Sequence, residues 1–155
     1  MKFQISALDA EPFAPLFAMT ADALAQRLAV RRIATNKPGF PCRVSLQDAE
    51  VGEPVLLVHY VHQGIASPYR ASHAIFVRKD VPRALLAPGE VPQSLRCRVL
   101  SLRAFDSEGM MVAADLCEGA RMETLLQSQL SQGDVAYVHI HFARFGCYAA
   151  RADRL

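Results

Sequence analysis

Along Tyr137-Val138-His139-Ile140-His141-Phe142 the side chains change character at every step. A strand sends successive side chains to opposite faces, which puts Val138, Ile140 and Phe142 toward a core and Tyr137, His139 and His141 on the other side. Val99–Phe105 has the same period, with Leu100, Leu102 and Ala104 facing one way and Ser101 and Arg103 the other. A second strand-like run, Met110–Leu116, follows across Asp106-Ser107-Glu108-Gly109, whose Asp and Gly suit the first and fourth positions of a type I turn. Val135–Ala143 and Cys147–Arg151 form a further hairpin around Arg144-Phe145-Gly146. A four-residue turn at Ala143–Gly146 pairs Phe142 with Cys147 and His141 with Tyr148 and sends Cys147 into the core. A three-residue turn with a bulge reverses that orientation.

The run Val55–Val61 is apolar at nearly every position and predicts a central strand covered on both faces. Ser72–Arg78 predicts the next strand, and Arg31–Thr35 an extended segment. Lys37–Pro41 predicts a turn, because proline fixes φ and glycine permits positive values. The proline-rich stretch Pro82–Pro92 reads as a surface loop placed to act as a lid. Thr20 is the N-cap of a helix expected to run to about Val30, with Leu24 and Leu28 on one face. Met122, Leu125, Leu126 and Leu130 give a second helix within Gly119–Gln132, stopped by Gly133. Hairpins on either side of a helix imply an α+β fold, a mainly antiparallel sheet with two short helices packed on it, as one domain over residues 1–155.

At 155 residues with 52% hydrophobic and 21% charged positions, the chain has ample material for one core; roughly 68–70% of the unfolded surface is buried at this size. Seventeen Lys and Arg against fifteen Asp and Glu leave +2, too even a balance for the positive field that nucleic-acid binding uses. Asp9, Glu11 and Pro12 interrupt the N-terminal apolar residues, so no secretory leader is expected. No run approaches the ~18 apolar residues of a bilayer span, and a cytoplasmic, non-membrane protein is expected. Cys42, Cys97, Cys117 and Cys147 form no CxxC pair, which favours free thiols.

His139 and His141, two apart on a strand, have the spacing of a shared metal ligand pair, but a site needs a third ligand. Spacing identifies none: His73, Asp106 or Asp115 would serve only if the fold brought one close, and a hydrogen-bonded histidine pair is the plainer reading. Arg43, Arg70, Arg78 and Arg103 sit beside extended or turn segments, where a guanidinium fork suits carboxylate or phosphate. Ordinary ion pairs compete with that use. Cys42, between Pro41 and Arg43, is a candidate nucleophile needing one of the histidines as base, against a buried structural thiol. Cys97 and Arg103 have thiol-phosphatase spacing, but the strand-like residues between them cannot form the required loop. GxGxxG, GxxxxGK[ST], HExxH and GxSxG are all absent.

Four blocks, 37–46, 68–78, 101–106 and 137–143 with 146–148, resemble the domain-of-unknown-function 1203 family over nearly the whole chain. The resemblance implies a bacterial, single-domain protein and assigns no residue a catalytic role. The first functional expectation is therefore a small-molecule-binding protein or enzyme that recognises an anionic ligand in one cleft. Arg43, Tyr69, Arg70, Arg103 and Tyr137 would bind it, and His73, His139, His141 and Cys42 would be the catalytic candidates. A protein-interaction module, which a homo-oligomer would satisfy, and a metal-dependent enzyme built on the His-x-His pair are the alternatives. The sequence names no cofactor.

Overall fold

A computed structural model describes residues 2–155 and arranges them in two antiparallel sheets. The elements, in chain order, are β1 (Phe3–Ser6), α1 (Ala21–Gln26), β2 (Ala29–Ile33), β3 (Pro54–Gln63), β4 (Ala71–Arg78), α2 (Gln93–Arg96), β5 (Val99–Phe105), β6 (Met111–Glu118), α3 (Met122–Leu130), β7 (Tyr137–Phe142) and β8 (Tyr148–Arg154). The larger sheet has the order β1-β8-β7-β5-β6 and the smaller the order β2-β3-β4. The fold is thus α+β and antiparallel, as the hairpins required, but the strands divide between two sheets.

Alternation along β5 and β7 builds the main core. Leu100, Leu102, Val138, Ile140 and Phe142 meet Met122, Leu126 and Leu130 of α3 together with Phe3 and Ile5 of β1, all buried. Each fully buried Leu or Ile contributes about 1.5–3 kcal/mol, so this cluster fixes the five-stranded sheet and commits its other face to a different environment. A second cluster joins Leu56, Val58, Ile75 and Val77 of the smaller sheet to Phe13, Leu16 and Leu24.

Two local expectations change. Thr20 caps α1, its hydroxyl accepting from the Ala23 amide at 3.3 Å, but the helix stops at Gln26. Leu28 has φ 52° and turns the chain so that Ala29–Ile33 pairs with Val58–Pro54. Ladder hydrogen bonds to β3 replace the last helical turn, and Leu28 is left exposed. Strand β3 is central in its sheet, but its outer face is covered only at Val55, by Ala34 and Ala49. His59 and Val61 lie open. The segment Pro82–Pro92 is a loop held in place by Ala84 N–H donating to Val44 O, Gly89 N–H to Phe3 O and Gln4 Nε2 to Leu86 O.

Arg43 ties the sheets together. Its side chain is 2% exposed, with Nε donating to Tyr148 O at 2.7 Å and Nη2 to Cys147 Sγ at 3.0 Å. Nη1 donates to Pro41 O, and the guanidinium lies over the Phe142 ring. Arg43→Ala removes these donors and leaves a cavity. The expected loss is about 3–5 kcal/mol of unfolding free energy, read from urea denaturation; a loss below about 1 kcal/mol would show that the guanidinium does not hold this junction.

Candidate functional site

The face of the larger sheet opposite α3 carries a row of polar and aromatic side chains. Strand register sets its rows: Ser101 pairs with His141, Arg103 with His139 and Phe105 with Tyr137. On the other side His139 pairs with Arg151 and His141 with Tyr148. Paired residues share a face with their Cβ atoms about 4.5–5.5 Å apart, so these side chains form one contiguous patch. The four-residue turn holds, with Phe142 N–H donating to Cys147 O. Cys147 therefore joins the main core rather than the histidine face.

The C-terminal half of β3 crosses this patch. Leu56, Val58, Tyr60 and His62 follow the period of two, apolar at the start and polar at the end. Val61 pairs with Ser72 and Gln63 with Ala71, leaving His62 as the extra residue of a β-bulge. A bulge re-aims side chains, and here both His62 and Gln63 reach the larger sheet. Gln63 Nε2 donates to the Tyr137 hydroxyl at 2.7 Å. His62 stacks on Tyr148 with centroids 5.6 Å apart and planes 7° from parallel, and its edge meets His141 at 4.9 Å and His139 at 5.9 Å. One ring nitrogen from each of His62, His139 and His141 lies within 4.8 Å of the others.

These imidazoles are neutral at pH 7. Burial, the largest influence on each, lowers the pKa of His62 to about 4 and those of His139 and His141 to about 3. Arg103 adds to the effect on all of them. His141 Nδ1 lies 3.0 Å from Gly146 O, so in the neutral ring Nδ1 carries the hydrogen and Nε2 the lone pair. That Nε2 is buried without a partner, as are His62 Nδ1 and His139 Nδ1. A histidine that donates one ring N–H to a backbone carbonyl and presents the other nitrogen unpartnered has the arrangement of a metal ligand.

Of the residues expected to form a site, Arg103, Tyr137, His139 and His141 come together, and Tyr69 touches the rim through an edge contact with Phe105 at 6.3 Å. The rest lie apart. Arg43 is the buried pin described above. Arg70 is exposed and its Nη1 donates to Gly64 O. Cys42 is buried, its sulfur accepting from the amides of Val44, Ser45 and Arg78. His73 sits opposite Tyr60 with Nδ1 at Ala74 O. Asp106 caps its own turn. Asp115 pairs with Leu102 and so points to the α3 side. Arg78 is taken by Glu53. His62 and Tyr148 are the members that the sequence pattern did not single out. A cleft of about 1000 Å³ lies elsewhere, lined by Ser45, Gln47, Arg78, Arg83, Glu90 and Cys97 among others, and contains no histidine. Its Arg78 and Asp48 are already paired, with Glu53 and Arg98, so the unpartnered groups lie at the inter-sheet seam.

The lowered histidine pKa values make metal-free protein acid-sensitive. The unfolded chain takes up protons near pH 6.5 while the folded histidines resist until pH 3–4, so stability is lost as pH falls through that window. His139 and His141, nearly fully buried, are each expected to cost about 2 kcal/mol between pH 6.5 and 5. Denaturation of chelator-treated protein checks this, with a shallower slope expected for His141→Gln; stability unchanged between pH 7 and 5 would contradict it.

Among the described residues no helix is long and apolar enough to cross a membrane. Neither curated proteins nor solved structures include a match to the chain. The model of the family described as proteins of unknown function, DUF1203, matches residues 39–154, a span that holds every residue of the histidine cluster, and the chain belongs to that family.

Proposed function

We propose that this protein is a metal-dependent enzyme whose ion is held by His62, His139 and His141. The observation that carries the proposal is the convergence of three ring nitrogens within 4.8 Å. A tetrahedral ion with bonds of about 2.0–2.1 Å separates its ligands by about 3.3 Å, so small ring rotations close the set. Neutral imidazoles suit zinc, copper, iron or nickel, whereas calcium and magnesium prefer oxygen. Three protein ligands leave a fourth position open, which is the pattern of catalytic rather than structural zinc. An ion there supplies Lewis acidity and lowers the pKa of a bound water.

The surrounding residues fit that use. The Gly146 carbonyl fixes the His141 tautomer, and Tyr148 lies flat against His62 and edge-on to His139 and His141. Arg103 places one guanidinium beside His139. The anionic-ligand expectation thereby contracts from several arginines to this one, and His139 and His141 act as ligands rather than as acid or base. Free, dispersed cysteines support a cytoplasmic setting.

Zinc titration of chelator-treated protein tests the proposal. One ion per chain is expected, with affinity reduced at least on the order of 100-fold in His62→Gln, His139→Gln and His141→Gln and unchanged in His59→Gln, on the outer face of β3. Zinc at 100 times its dissociation constant adds about 2.7 kcal/mol, or roughly 2–8 °C in Tm. In cobalt-loaded protein, azide is expected to shift the visible spectrum by entering the open position. Equal affinity in His62→Gln, or a spectrum indifferent to azide, would contradict the proposal.

A further inference from the structure

Arg103 stands apart from the other partly buried arginines. Arg78, Arg96 and Arg98 each have a carboxylate partner, Glu53, Glu123 and Asp48 respectively, and the exposed Arg151 has Asp153. The hydrogen bond that Arg103 makes is from Nε to the Ser101 hydroxyl at 3.3 Å, and among the described residues its terminal nitrogens meet no acid. It occupies the middle of the histidine face, with His139 directly opposite on β7 and Ala114 directly opposite on β6.

The charge balance selects the ligand. The charge of Arg151 is matched by Asp153 at 2.6 Å. Arg103 and a divalent ion would then leave the site net positive. A single guanidinium fork matches the two oxygens of one carboxylate. A phosphate site ordinarily adds converging backbone amides, whereas the amides of β5 and β7 are committed to their ladders.

The next strand describes what adjoins that carboxylate. β6 is the edge of the sheet, and its residues on the histidine side are Met111, opposite Phe105, Ala114, opposite Arg103, Leu116, opposite Ser101, and Glu118, opposite Val99. Val112 adds to them at the bulge. Leu116 is 64% exposed and Val112 40%, so an apolar strip runs along the open edge to both sides of the guanidinium and ends at Glu118.

We propose that the substrate is a carboxylate with an apolar body, its carboxylate gripped by Arg103 beside the metal centre and its body lying along Val112, Ala114 and Leu116. This rests on the metal centre proposed above. The test is calorimetric titration of zinc-loaded protein with acetate, hexanoate and hexylamine. Hexanoate is expected to bind about 10-fold or more tighter than acetate, because additional methylenes are buried, and hexylamine is expected not to bind.

Arg103→Gln is expected to weaken hexanoate by about 10-fold or more while zinc affinity stays within about twofold. Arg103→Lys, which keeps the charge but loses the fork, should fall between the two. Leu116→Ser should narrow the gap between hexanoate and acetate. Unchanged hexanoate affinity in Arg103→Gln that still takes up zinc, or equal affinity for acetate and hexanoate, overturns this inference alone. Failure of the wild-type protein to take up zinc overturns the centre on which it stands. A stable dimer dispersed by Leu116→Asp would assign the strip to a second copy of the chain and overturn the apolar-body part.

Discussion

His62 lying flat against Tyr148 is the contact on which the site depends. Neither sheet supplies all three rings of the cluster: the larger contributes His139 and His141 from one strand, and the smaller contributes His62 from the end of another. The bulge in β3 leaves His62 without a partner on β4 and turns it onto β8. Tyr148 is itself placed by its pairing with His141 and by Arg43, whose Nε is bonded to the Tyr148 carbonyl. The seam between the sheets thus depends on a buried cation with backbone acceptors and a stacked ring pair, and the imidazole cluster is what that seam encloses.

Energetics explain why such a seam is unusual in a purely structural role. A buried polar atom without a partner costs about 1–3 kcal/mol, and the cluster contains one such nitrogen on each of three rings. The same burial that holds the rings neutral presents lone pairs without any competing proton. On the opposite side of the sheet, Leu102, Val138 and Ile140 are wholly buried against α3, and that packing keeps the β5–β7 register from slipping. A shift of one residue would send His139 and His141 into the core.

Much of this architecture was legible in the sequence, because alternation is a local signal. Tyr137, His139 and His141 were assignable to one face from their spacing and Ser101 and Arg103 to one face of their own strand, whereas the side taken by Cys147 waited on the length of the turn before it. The division into two sheets was not legible, since it depends on which strands pair over long separations. Nor was the end of α1 at Gln26, where β2 pairing with β3 outweighs helix propensity in Ala29–Ile33. His62 was missed for a related reason. It follows an apolar run that reads as ending at Val61, and the bulge that redirects it has no glycine or proline to mark it. Its one sequence trace is the inward series Leu56, Val58, Tyr60, His62, which turns from apolar to polar along a single face. Arg43 and Arg70 could be read as forks for an anion, but whether a guanidinium meets a ligand, a carbonyl or solvent is decided by tertiary contacts that spacing does not encode.

The central claim is that one ion is bound by three imidazoles drawn from both sheets. X-ray absorption at the zinc edge on the loaded protein tests it most directly. The account predicts a shell of light atoms at about 2.0–2.1 Å with the outer-shell scattering of three imidazole rings, reduced to two in His62→Gln. A sulfur shell near 2.3 Å, or a spectrum identical in His62→Gln, would contradict it.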